Sequence, residues 1–123
     1  MRSTKRIATA IVGSAASAAL LLGTTATAAQ AATYQGCPDG YVCLYPENAG
    51  WNGGHPSYKW YYYGSYNLSN QYGIHRIYNN QTGGAKAWLC NGWNGTNCPV
   101  YQPAGSYSDT NFTPINSVKL TAN

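Results

Sequence analysis

GWNG occupies residues 50–53 and returns at 92–95, an offset of 42 positions in a chain of 123. A second element, GSY, stands at 64–66 and again at 105–107. From there an ungapped offset of 41 carries Asn70 onto Asn111, Ile74 onto Ile115 and Ile77 onto Val118. Asn and Gly favour tight turns, so GWNG alone would recur by convergence. The second aligned block, with apolar positions matched, points instead to an internal duplication of roughly forty residues. One copy spans about 40–82 and the other about 85–120.

Each copy reads as short strands separated by turns. YVCLY (41–45), SYKWYYY (57–63) and IHRIYN (74–79) are rich in aromatic and β-branched residues, as are AKAWLC (85–90), CPVYQ (98–102) and INSVKL (115–120). Gly, Pro and Asn punctuate the gaps, and no helical period competes. Short strands at this spacing predict an all-β sandwich. Two four-stranded Greek keys fit a duplication of this size, with the weakest strand of each copy expected in NLSNQY (67–72) and DTNFT (109–113). GWNG then becomes one turn per motif, with Trp51 and Trp93 expected to pack over equivalent edges.

The N-terminal segment has a different character. Arg2, Lys5 and Arg6 precede an apolar run from Ile7 to Leu22, and AQA at 29–31 ends in small residues. That is the pattern of a secretory signal peptide, expected over residues 1–31. The run is broken by Gly13, Ser14 and Ser17 and falls short of the roughly 20 apolar residues a membrane span requires. Residues 32–123 are then the mature domain, small enough that its core alone would be marginal.

Cys37, Cys43, Cys90 and Cys98 all lie in that part. In an exported chain an even number of cysteines predicts two disulfides. Five residues separate the first pair and seven the second, wider than the two to four usual between paired zinc ligands. Four cysteines permit three pairings, of which local bridges, Cys37 with Cys43 and Cys90 with Cys98, are favoured.

The formal charge of +4 belongs mostly to the leader. Residues 32–123 keep Lys59, Arg76, Lys86 and Lys119 against Asp39, Glu47 and Asp109, four basic against three acidic side chains. Without a basic cluster, neither nucleic acid nor a membrane surface is an expected partner. The chain holds 12 Tyr and 4 Trp, a composition suited to a contact surface. His55, between Gly54 and Pro56, reads as a surface loop residue, and His75 as a strand residue engaged in packing or a hydrogen bond. No nucleophile, base and carboxylate occur in a catalytic pattern, and the three acids sit in separate turns, so no enzyme is expected.

A cysteine pair bracketing CPDGYVCLY, a GWNGG turn, a GSYNL element and a YNNQTGG step between the repeats resemble the small secreted bacterial peptidase inhibitors of βγ-crystallin fold, the metalloproteinase-inhibitor type. The resemblance spans essentially residues 32–123. It implies a βγ-crystallin-like sandwich of two Greek-key motifs with one local disulfide per motif. It also implies that the loop CNGWNGTNC, closed by Cys90 and Cys98, enters a protease cleft with Cys90–Asn91 as the susceptible bond. Cys90, Asn91, Gly92 and Trp93 are thus the expected reactive loop, with an extracellular metalloprotease or serine protease as partner.

Calcium is the fold's other common ligand, bound through paired acidic or amide residues followed by a hydroxyl residue and a serine. The first copy has Gln71, Tyr72, His75 and Arg76 there, and the second has Phe112, Thr113, Asn116 and Ser117. Calcium needs six to eight oxygen ligands, so neither a metal nor any other cofactor is expected. The alternative function is a non-catalytic glycan-binding or antifungal module. In WYYY (60–63) strand alternation would set Trp60 and Tyr62 on one side and Tyr61 and Tyr63 on the other, and an exposed pair, Trp60 and Tyr62, would stack on chitin or cell-wall glycan. The protein is expected to act outside the cell as a monomer.

Overall fold

The computed structural model describes residues 32–123; the expected leader, 1–31, lies outside the described residues. Eight strands follow one another as β1 (Val42–Leu44), β2 (Tyr58–Trp60), β3 (Gly64–Asn67), β4 (Ile74–Asn79), β5 (Lys86–Cys90), β6 (Val100–Pro103), β7 (Ser106–Asn111) and β8 (Ser117–Thr121). They form two four-stranded antiparallel sheets, ordered β2-β1-β4-β7 and β3-β8-β5-β6. The all-β expectation therefore holds, and both disulfides are local, Cys37–Cys43 and Cys90–Cys98.

The two orders are the same pattern written twice. Adding four to each of β2, β1 and β4 turns the first sheet into β6, β5 and β8, and the fourth place in each sheet is taken by the third strand of the other half. β7 thus completes the first sheet beside β4, and β3 completes the second beside β8. Each half supplies a strand that the other half's sheet needs, so the halves share one core.

Period-two alternation builds that core. Val42 and Leu44 of β1 and Ile77 of β4 meet Ala87 and Leu89 of β5 and Val118 and Leu120 of β8. Trp60, Leu68, Phe112 and Ile115 fill the ends, and all of these side chains are buried. Cys43 points to the other face of the first sheet, where it joins Cys37 and Tyr45 in a second buried cluster flanked by Tyr41, Trp51 and Tyr78. The first disulfide is therefore packed as well as covalent.

Two strand expectations are corrected. The third strands are Gly64–Asn67 and Ser106–Asn111, which begin before the NLSNQY (67–72) and DTNFT (109–113) stretches assigned to them and keep only Asn67 of the first and Asp109 to Asn111 of the second. Beyond Asn67 the chain turns, with Asn70 at φ 57, and plugs Leu68 into the core through a bond from its N–H to the Asn116 carbonyl. The strand expected over SYKWYYY ends at Trp60. Trp60 is only 8% exposed, its ring stacked with Tyr58 at 5.6 Å and Tyr66 at 5.5 Å, whereas Tyr61, Tyr62 and Tyr63 all reach solvent. Alternation stops where the ladder stops, so Trp60 and Tyr62 do not share a face.

Buried Tyr45 makes a testable contribution. Its hydroxyl donates to the Gln35 carbonyl at 2.8 Å, and burial, with Tyr78 nearby, pushes its phenol from 10.0 up to about 12. Ionisation is harder in the folded than in the unfolded chain. This stability is thus intact below pH 10 and is lost as pH rises toward 12, by about 3 kcal/mol at most. Circular dichroism between pH 8 and 12 should show alkaline unfolding that Tyr45→Phe shifts upward.

Candidate functional site

The two GWNG copies form the same turn. In each, Asn and Gly take left-handed conformations, with φ 50 and 63 at Asn52 and Gly53 and φ 57 and 72 at Asn94 and Gly95. The Trp carbonyl accepts the N–H three residues on, from Gly54 at 2.9 Å and from Thr96 at 3.3 Å. Asn-Gly suits this mirror-image turn because both central residues need positive φ.

The tryptophans then diverge, contrary to the expected equivalence. Trp51 packs edge-on against Tyr34, Tyr45, Tyr78 and Tyr107 at centroid distances of 4.7–5.5 Å. The Arg76 guanidinium lies over both Trp51 and Tyr107, 4.7 and 4.6 Å from their centroids, and donates two 2.8 Å bonds to Asp109. The hydrogen bond to Arg76 holds the Asp109 carboxyl below the usual carboxylate value. Trp93 has no aromatic partner of this kind among the described residues and is 52% exposed. It borders a cleft of about 210 Å³ whose wall includes Leu68, Tyr72, Thr113 and Ile115.

The Cys90–Cys98 loop is closed several times over. Asn91 N–H donates to the Asn97 carbonyl and Gly92 N–H to the Thr96 carbonyl, forming a small internal ladder. Asn67 of β3 exchanges two bonds with Asn94, accepting from its N–H at 2.7 Å and donating to its Oδ1 at 2.9 Å. The Ser117 hydroxyl accepts from Gly95 N–H at 2.9 Å and donates to the Gly92 carbonyl at 2.7 Å. Asn116 donates from its backbone to the Cys90 carbonyl and from Nδ2 to the Asn91 carbonyl at 2.9 and 2.8 Å.

Four expected loop residues are therefore brought together with unequal access. Cys90 is fully buried and its carbonyl is occupied, and Asn91 is bonded at both its N–H and its carbonyl. Gly92 and Trp93 lead to the apex. Composition did not reveal the clamp of Asn67, Asn116 and Ser117. Asn116 and Ser117 stand at the positions compared above with a calcium pattern, and here they hold the loop backbone.

The remaining expected residues lie elsewhere. His55 is exposed, as expected of a loop. His75 is buried, with Nδ1 2.7 Å from the Tyr45 carbonyl and Nε2 2.9 Å from the Tyr72 carbonyl. Of the named glycan pair, Trp60 belongs to the core, and Tyr62, 76% exposed, lies in a second cleft with Tyr61 and Tyr63. Among the described residues no helix is long and apolar enough to cross a membrane, and two disulfides are compatible with an extracellular protein. No protein-family model, no curated protein and no solved structure matches this chain.

Proposed function

We propose that residues 32–123 form a secreted peptidase inhibitor of βγ-crystallin-like fold, built from two Greek-key motifs, that presents the apex of the Cys90–Cys98 loop to an extracellular protease. The reciprocal exchange of β3 and β7 between otherwise repeated sheets supports the fold reading. The observation that carries the function is a half-exposed tryptophan on a loop whose backbone is held by a disulfide and three side-chain clamps. A large aromatic group on a pre-ordered backbone loses little entropy on binding, which is how interface hot spots arise.

The geometry modifies the mechanism that the resemblance implies. A substrate-like bond must offer free backbone N–H and C=O groups to the protease, and the Cys90 carbonyl and both the N–H and the carbonyl of Asn91 are already engaged. The inhibitor therefore acts by occlusion, with Gly92, Trp93 and Asn94 covering the cleft entrance and the Cys90–Asn91 bond staying intact.

Titrating a thermolysin-like metalloprotease and a subtilisin-like serine protease with the oxidised secreted protein tests this. Stoichiometric inhibition of one of them is expected. Trp93→Ala should weaken it by about 30-fold, the loss of roughly 2 kcal/mol at a hot spot. Its melting temperature should stay unchanged, whereas Trp51→Ala should lower the melting temperature. Full residual activity of both enzymes at micromolar excess would overturn the proposal, and mass-spectrometric cleavage at Cys90–Asn91 would overturn the occlusion mechanism.

A further inference from the structure

Beyond inhibition, and independently of it, we infer that the cleft lined by Gly40, Tyr61, Tyr62, Tyr63, Gln81 and Thr82 is a binding site for a neutral β-linked polysaccharide. The cleft measures about 280 Å³, small for a pocket that engulfs a ligand. A chain of sugar rings laid across it would fit that shape.

Three features define the ligand chemistry. First, three consecutive tyrosines are 50–76% exposed, although large aromatic side chains are normally drawn inward. They are not disordered decoration of the surface. Tyr61 rests 5.1 Å from Tyr41 and 5.2 Å from Tyr62, and the Tyr62 carbonyl accepts the Tyr66 hydroxyl at 2.6 Å, which holds the backbone of the run. Gly40 makes room for this arrangement: a Cβ there would stand 2.9 Å from Tyr61 Cε1. Flat exposed rings, two of them packed against each other and against Tyr41, suit the apolar C–H faces of β-linked pyranoses.

Second, none of the six lining residues is charged. A phosphorylated or carboxylated ligand would leave its charge without a partner, at a desolvation cost that a neutral sugar avoids.

Third, the cleft contains a committed donor and a spare acceptor. Asn79 Nδ2 donates to the carbonyls of Ala85 and Gln102 at 3.1 and 2.8 Å, which fixes its Oδ1 as an acceptor. That Oδ1 receives Gln81 N–H and Gln81 Nε2, both at 3.0 Å, so the Gln81 amide orientation is set by the network. Gln81 Oε1 is left without a protein partner among the described residues, although the residue is only 6% exposed and lines the cleft. A buried acceptor seeks a donor, and a sugar hydroxyl supplies one.

The site is separate from the inhibitory loop. Gly64, next to Tyr63, begins β3 and Asn67, which clamps the loop, ends it, so the strand spaces the two surfaces by about 10 Å.

The test is retention of the full secreted protein on insoluble chitin and on cellulose, with soluble chitohexaose and cellohexaose as competitors. Retention on at least one polymer is expected, unchanged in 1 M salt because no charge pairs are involved. The double variant Tyr62→Ala/Tyr63→Ala should lose at least 10-fold in affinity at an unchanged melting temperature, while Trp93→Ala should bind normally. Retention on chitin alone would identify an N-acetylated ligand, and retention on both a neutral glucan-type ligand. Failure of the wild-type protein to bind either polymer, abolition by salt, or full binding by the double variant would overturn the inference. None of these outcomes bears on protease inhibition, so the two proposals fail separately.

Discussion

Asn79→Ala is expected to destabilise the domain by about 4 kcal/mol and to lower its melting temperature by about 20 °C. Asn79 is fully buried between the sheets and makes four hydrogen bonds. Removing its amide deprives the Ala85 and Gln102 carbonyls of a donor and the Gln81 N–H of its acceptor, three backbone groups in a place that water reaches poorly. Each such orphan costs about 1–3 kcal/mol, while relaxation of the site recovers part of the sum. Asn79→Asp should do no better, because a carboxylate oxygen would then face the two carbonyls that Nδ2 now serves. The same substitutions should release Gln81 and so weaken polysaccharide retention. Thermal and urea denaturation of the three proteins would check the order, and a loss below about 1 kcal/mol for Asn79→Ala would show that the network is dispensable.

Replacing Cys37 and Cys43 together by serine is expected to cost about 4–5 kcal/mol, enough to unfold much of a small domain at 37 °C. Closing so short a loop contributes about 2 kcal/mol by chain entropy. The rest comes from packing. Both sulfurs lie in the buried cluster with Tyr45, flanked by Tyr41, Trp51 and Tyr78, where a serine hydroxyl would lose water and gain no designed partner. The matching change at Cys90 and Cys98 should cost only about 2–3 kcal/mol in stability, because Asn67, Asn116 and Ser117 still hold the loop. Its effect should fall on inhibition, through a looser apex. Graded reduction with melting followed at each step, beside the two double variants, separates the contributions.

Reading strands from residue type worked where a strand is covered on both sides. β1, β4, β5 and β8 are interior strands of their sheets, and VCL, IHRIYN, KAWLC and SVKLT carry the apolar alternation that such burial demands. It found the edge strands β2 and β6 but misplaced the starts of β3 and β7, edge strands of the more polar composition GSYN and SYSDTN. Polar residues are tolerated there because only one neighbour pairs with them. Their place is set by exchange into the other half's sheet, a long-range pairing that leaves no local pattern. WYYY misled for a related reason, since alternation has meaning only while a ladder continues, and here it ends at Trp60.

By itself the sequence determined the class: short strands, an Asn-Gly turn written twice, four cysteines in two closely spaced sets and, over residues 32–123, four basic against three acidic side chains. Those are properties of residue type and spacing, and they act within a few residues along the chain. Only the tertiary structure decided what the repeated turn is for. Trp51 and Trp93 have the same neighbours in sequence and opposite surroundings in space, one enclosed by Tyr34, Tyr45, Tyr78, Tyr107 and Arg76, the other carried into solvent on a loop clamped by Asn67, Asn116 and Ser117. Tyr107 and Asn67 come from β7 and β3, the exchanged strands, so the fate of each tryptophan depends on what the other half of the chain brings to it.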